Sequence, residues 1–231
     1  MIEEHFTITI IPMLNPDGAR AYTRINANGI DLNRDAHQKS QIESQILNQI
    51  FSEFQPDFCF NLHDQRTIFS AGQDKVIATV SFLTPALDEE CTVAPSRIIS
   101  MKLIAAMNNI LQQTIPRQVG RYDDSYNINC TGDSFQTLNV PTVLFEAGHY
   151  PEDYPREKTR ELIFISLVTA LLSIATGEMD DIEYTEYFKI PENDKLFYDL
   201  ILRNVSIEDK IVDVAIQFRE ILEEGRIMFQ L

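Results

Sequence analysis

Several things are scarce in this chain, and each scarcity removes a class of function. Cysteine occurs three times, as Cys59, Cys91 and Cys130, too few and too odd in number for a disulfide framework. A reducing, cytoplasmic setting is therefore expected. Eight Gly and ten Pro in 231 residues exclude collagen-like and low-complexity chains. Basic residues are outnumbered, with 19 Lys and Arg against 35 Asp and Glu and a net charge of −16. Such a chain has no electrostatic footprint for nucleic acid or for an anionic membrane, so neither is expected as a partner. Leu162 to Ala175, the longest apolar stretch, falls about a third short of the ~20 residues of a membrane span. It reads as a buried helix closed by Gly177. Met1-Ile2-Glu3-Glu4-His5 has neither the basic nor the apolar region of a signal peptide. Neither G-x-G-x-x-G nor G-K-[ST] occurs, so no nucleotide loop is expected.

What remains is ordinary globular usage, 44% apolar and 23% charged, long enough for one domain with a small appendage. Phe6 to Leu14 is β-rich and mostly apolar, which predicts a strand buried on both faces. Asn15-Pro16-Asp17-Gly18 breaks it with four turn-formers. Ile42, Ile46, Leu47, Ile50 and Phe51 give helical spacing over residues 36–54. Phe58 to Leu62, Val76 to Leu83 and Pro141 to Phe145 read as further strands. Ser96 to Thr114, behind Pro95, and Arg160 to Ala175 read as helices. Strands alternating with helices of this length predict an α/β fold, a sheet with helices on both faces. Beyond Gly177 the composition shifts: residues 178–231 hold 14 acids and six bases, a charge of −8. They are expected to form a small acidic appendage to a catalytic domain spanning 1–177. Within it, Phe197 to Arg203 and Val212 to Phe218 are each compatible with helix or strand.

Polar residues gather where the predicted strands end, the place where open α/β sheets bind ligands. Arg24, Asn33 and Arg34 lie in the long loop after the first strand. His63 closes one strand and Glu146 another, and the loop between carries Arg121, Tyr122 and Tyr126. Each has a plain structural alternative: an Arg on an acidic protein is commonly a surface ion-pair partner, and a strand-end His is commonly just hydrogen-bonded. Glu146 is less easily explained that way, because a carboxylate after four apolar strand residues is partly buried and needs a partner, a metal or a shifted pKa. Two arginines and an Asn offer forked donors for a carboxylate. His and Glu beside them point to metal-assisted hydrolysis of a carboxylate-bearing substrate.

The ordered run Asn15-Pro16-Asp17-Gly18, Arg24, and Asp31-Leu32-Asn33-Arg34 resembles the pattern of the zinc metallocarboxypeptidase family (carboxypeptidase A-like). Asn61-Leu62-His63 and Phe145-Glu146-Ala147-Gly148 fall in the same order and context, so the resemblance covers roughly residues 6–175. It implies a central mixed, mostly parallel sheet and zinc-dependent hydrolysis of an amide next to a free carboxylate. By the same resemblance His63 would be a zinc ligand and Glu146 the general base. Arg24 would stabilise the developing oxyanion, and Asn33 and Arg34 would clamp the terminal carboxylate of a peptide or small-molecule substrate. A mobile Tyr of the family is matched by Tyr126, with Tyr122 slightly early. Thr131-Gly132-Asp133 falls near the family's specificity pocket.

The resemblance also implies two more zinc ligands from an H-x-x-E motif upstream of N-P-D-G. None occurs in the fourteen residues before Asn15; the only such string, His149-Tyr150-Pro151-Glu152, follows the base and is interrupted by Pro151. The catalytic domain is therefore expected to be N-terminally incomplete and inactive as given, with one of three zinc ligands present and self-association through an uncovered apolar face. The alternatives are a metal-free binder of carboxylate-terminated peptides, or a relative that trims cell-wall peptides or deacylates amino acids.

Overall fold

In a computed structural model that describes residues 2–231, the chain runs as follows. It opens with α1 (Ile2–His5), α2 (Pro16–Ala21), a 3-10 turn (Leu32–Arg34) and α3 (Ile42–Phe54). Next come β1 (Cys59–Asp64), β2 (Phe69–Ala71), β3 (Val80–Leu83), α4 (Pro95–Leu111) and β4 (Val119–Arg121). α5 (Thr131–Gln136), β5 (Thr142–Ala147) and α6 (Glu157–Thr176) complete the main body. Two 3-10 turns (Glu178–Asp181 and Tyr184–Lys189) lead to β6 (Asn193–Lys195) and to two hairpins, β7 (Leu200–Ile207) with β8 (Lys210–Ile216) and β9 (Arg219–Glu223) with β10 (Arg226–Gln230).

The central sheet has the order β1-β5-β3-β4. β1 lies parallel to β5 and β3 parallel to β4, while β3 and β5 are antiparallel, so the sheet is mixed as expected. One face carries Phe60, Phe82, Val143 and Phe145, with the Phe145 ring edge-on to both other rings at 5.4 Å. Against this face pack Met101, Leu103, Ile104, Met107 and Leu111 of α4 and Leu162 and Ala170 of α6, all fully buried. Pro95 sits in the first turn of α4, where its missing N–H costs nothing. α6 ends at Gly177, whose φ of 74° supplies the left-handed C-cap that the sequence announces. The other face carries Asn61, His63, Leu144, Glu146 and Ser81, and is covered in part by α5, which stacks Phe135 on Phe51 of α3 at 4.3 Å.

The first expected strand is not one. Phe6 to Leu14 is irregular, and Ile8, Ile10, Ile11 and Met13 are exposed, Ile10 by 77%. Strand geometry needs a neighbour to pair its N–H and C=O groups. β1 is the edge of its sheet, and among the described residues no strand pairs with its outer side. The expected strand buried on both faces is therefore neither paired nor buried. The helix expected over 36–54 starts only at Ile42. Asp35 is buried and accepts hydrogen bonds from Ser40 N, Ser40 Oγ and Gln41 N, holding residues 35–41 in turns. The two ambiguous C-terminal segments fall largely in strands, within β7 and β8. Tyr187 and Ile190 are buried in the main core, and β6 pairs antiparallel with β2, so the last 54 residues begin by completing the body.

Candidate active site

Asn15-Pro16-Asp17-Gly18 is a helix start. Asn15 caps α2 by accepting from Gly18 N at 2.9 Å, Pro16 occupies the first turn, and Asn15 Nδ2 donates to Arg24 O at 3.3 Å. A Cβ on Gly18 would lie 2.7 Å from the carbonyls of Thr23 and Ile25, so this position has no room for a side chain. The motif thus folds the chain back on itself and fixes where Arg24 begins. Arg24 Nε donates to Asp31 Oδ2 at 2.6 Å, and Asp31 Oδ1 accepts from Asn33 N at 2.9 Å. One carboxylate therefore orients both the arginine and the 3-10 turn bearing Asn33 and Arg34. Asn33 Oδ1 accepts from Thr131 N at 2.9 Å, tying the turn to the start of α5. Arg34 Nη1 donates to Asn33 O at 2.6 Å and to Cys130 Sγ at 3.1 Å. A cavity of about 260 Å³ lies behind this turn, between α3 and α5, and not at His63.

His63 and Glu146 are direct partners in the parallel β1–β5 register, so their side chains leave the sheet on the same face. Burial and the positive charges of Arg24 and Arg34 push the His63 imidazole down to about 4, with Asp31 opposing. It is neutral at pH 7. Burial, assisted by Asp64 and opposed by Arg24, pushes the Glu146 carboxyl up to about 7, so the group is poised between its two forms near neutrality. Glu146 is 7% exposed, its Oε2 has no hydrogen-bond partner, and neither has His63 Nε2 or Asn61 Nδ2. Three neighbouring polar atoms on one sheet face are thus buried and unpaired, which is uncommon in a folded chain.

The strand ends are held rigidly. Arg156 donates to Ala147 O at 2.7 Å and pairs with Asp64, bridging the ends of β1 and β5. Gly148 has no space for a side chain, since a Cβ would lie 2.1 Å from Ala78 O. Gln65 donates to Ala78 O at 2.6 Å and accepts from Asn193 Nδ2 at 3.2 Å, so a residue of β6 supports the floor of the site.

The structure brings together Arg24, Asn33, Arg34, His63 and Glu146, from four separate parts of the sequence. It does not bring Tyr126 to them: burial raises the Tyr126 hydroxyl, and its charged neighbours are Asp133, Glu89 and Asp88. Tyr122 packs its ring against Phe69 at 5.2 Å, and its hydroxyl is raised by burial and by the charge of Glu146, with Arg24 and Arg66 opposing. Sequence reading missed Arg66, which follows β1 in the string His63-Asp64-Gln65-Arg66 and was detectable only by its nearness to His63. His149 lies in irregular chain after β5 and Glu152 in a turn, neither on a helix. Asp133, in the first turn of α5, is buried, accepts from Ala86 N at 3.0 Å, and is pushed up to about 6 by burial.

A catalytic zinc ion takes three protein ligands and an open position. Among the described residues no group of three His, Cys, Asp or Glu side chains is placed to hold a metal. His63 Nε2 and Glu146 Oε2 are suitable atoms, but the donor set does not fit a complete zinc centre.

No family model matches the chain, and no curated protein matches it. Solved structures do. A protein named as a carboxypeptidase A from Shewanella denitrificans OS-217 superposes with a TM-score of 0.55 and 18% identity, over 72% of this chain and 46% of that one. At this identity the likeness shows the fold: a mixed α/β sheet of carboxypeptidase type. Weaker likenesses are to the ectoine utilization protein EutE (DoeB) from Ruegeria pomeroyi (TM-score 0.46, 13% identity, 70% of this chain and 46% of that one) and to murein-tripeptide amidase MpaA from Escherichia coli O157 (0.38, 19%, 68% and 64%). The chain spans less than half the length of the first two.

Proposed function

We propose that this chain binds substrates ending in a free carboxylate and acts in hydrolysis of the adjoining amide, a reaction of the zinc metallocarboxypeptidase type. The observation that carries this reading is the pairing of His63 with Glu146 at the strand ends, facing Arg24 and Arg34. The fold shared with a carboxypeptidase-like neighbour supports it. Asn33 and Arg34 would hold the carboxylate through an amide and a forked cation. Arg24, fixed by Asp31, would stabilise negative charge on the carbonyl oxygen as a water oxygen bonds to the carbonyl carbon. Glu146 would take the proton that water loses and pass it to the departing nitrogen as the C–N bond breaks, a role suited to a carboxyl near pH 7. Because the donor set does not complete a zinc centre, no step is assigned to a metal. That shortfall favours one second reading, a carboxylate-binding cleft without turnover.

The clamp is tested by calorimetry with a short peptide as its C-terminal acid and as its amide. Charge-assisted hydrogen bonds to a partly buried carboxylate are each worth about 1.5 to 3 kcal/mol, so the acid should bind on the order of tenfold tighter or more. Arg34→Ala should shrink the preference and Arg24→Ala should shrink it less. Equal binding of acid and amide to folded protein would exclude the clamp.

A further inference from the structure

The loop that leaves β1 adds a third arginine beside the site. Gln65 N donates to Ala147 O at 3.0 Å, which pins the chain beyond His63 alongside the strand that carries Glu146, and Arg66 is the next residue. Tyr122, just after β4, packs its ring on Phe69 at 5.2 Å and so meets the same loop. In a chain where 35 acids outnumber 19 bases, an arginine readily finds a carboxylate: among the described residues seven of the twelve do. Arg66 is exposed and, among the described residues, makes neither an ion pair nor a side-chain hydrogen bond. Asp123, whose charge also reaches Tyr122, is held by Ser125, accepting from its N at 2.9 Å and its Oγ at 2.7 Å.

The arginines are spread across the site. The charge of Arg34 acts on His63, that of Arg66 on Tyr122, and that of Arg24 on His63, Glu146 and Tyr122 alike. Arg24 therefore stands between the other two, with the clamp to one side and Arg66 to the other. A substrate held by its terminal carboxylate at Arg34, with its amide carbonyl at Arg24, directs the residue that supplies that carbonyl toward Arg66. Resting on the reading of Arg34 as the carboxylate clamp, we propose that Arg66 is a substrate-binding residue that reads a second carboxylate, the side chain of an Asp or Glu next to the clamped residue. The site then takes peptides whose penultimate residue is acidic. A free guanidinium offers forked donors that match a carboxylate. The chain's net charge of −16 does not forbid such a ligand, because charges beyond about 8 Å are largely screened at physiological salt while the local arginines are not.

The test is calorimetric titration of the purified full chain, with EDTA present, using N-acetyl-Glu-Ala and its uncharged counterpart N-acetyl-Gln-Ala, each as C-terminal acid and as C-terminal amide. Wild type should bind the Glu peptide about fivefold more tightly than the Gln peptide, the upper end for an exposed ion pair, and high salt should shrink the difference. Arg66→Gln should abolish the Glu preference while leaving the acid-over-amide preference at the C-terminus in place. Arg66→Lys should retain part of the Glu preference, and Arg66→Glu should reverse it. Circular dichroism would establish that each variant is folded; if Arg66→Gln is not, the comparison of Arg66→Lys with Arg66→Glu carries the same expectation. Equal binding of Glu and Gln peptides by wild type that still prefers acid over amide would overturn this inference alone. So would a Glu preference that survives Arg66→Gln. Loss of the acid-over-amide preference in wild type would instead overturn the clamp, and the inference with it.

Discussion

Asp133 shows how one side chain's surroundings become a measurable property of the whole chain. Its carboxyl titrates near 6 in the folded state and near 3.8 when unfolded, because burial in the first turn of α5 disfavours its charge. The folded state therefore binds more protons between these values, and this residue's contribution to stability declines as pH rises through them. Replacing it with Asn keeps an acceptor for Ala86 N and removes the titration. Relative to wild type, Asp133→Asn should gain on the order of 1 kcal/mol between about pH 5 and pH 7, measured as urea-unfolding free energies. A constant difference between the two proteins across that range would show that Asp133 is not ionised under strain. Neither the burial nor the shift was visible in Thr131-Gly132-Asp133, a string that reads as a turn. Glu146 was different: its position after four apolar strand residues announced a buried carboxyl before any coordinates.

At the scale of elements, α4 is joined to the loops around the site by one buried cation. Arg97 is 1% exposed and donates to Cys91 O at 2.5 Å, Thr84 O at 3.2 Å and Asp124 Oδ2 at 2.7 Å. Asp124 is two residues from Tyr122, so the same contact steadies the loop that reaches Glu146. Arg97→Met would leave these acceptors unpaired. Breaking a buried pair by removing one partner costs about 3–5 kcal/mol, and the lower end is expected because Asp124 is partly solvated. Chemical denaturation would give the value, and a loss below about 1 kcal/mol would contradict the role assigned to this contact. Gly148→Ala should be comparably damaging, since its new methyl would meet the Ala78 carbonyl. Elements of this kind were only partly legible. Helices α3 and α4 declared themselves by 3.6-residue periodicity and α6 by its apolar run closed by Gly177, whereas β2, β4 and β6, of three residues each, carry too few side chains for any period to register.

Across the described residues, apolar side chains are exposed in many places, and two stretches of the chain stand out. One is the stretch from Ile8 to Met13; the other is the β7–β8 ribbon, where Leu200, Leu202, Ile207, Ile211 and Val212 are exposed. A two-stranded ribbon is only marginally stable unless something covers it, and contiguous apolar patches drive association. The chain should therefore self-associate at micromolar concentration despite its charge of −16. Ile10→Lys combined with Leu202→Lys should shift it toward monomer in sedimentation velocity. A wild-type monomer with a single cooperative unfolding transition would refute this.

Sequence alone marked the candidate site residues and determined the kind of fold that carries them. Side-chain type, spacing and strand-end position are local properties, and Arg24, Asn33, Arg34, His63 and Glu146 were all marked by them. Tertiary structure decided the rest. The side-by-side register of His63 and Glu146 depends on two strand positions more than 80 residues apart. It also decided that Phe6 to Leu14 stays unpaired, because a strand exists only when another backbone meets its hydrogen-bonding groups, and no spacing within one segment encodes that meeting.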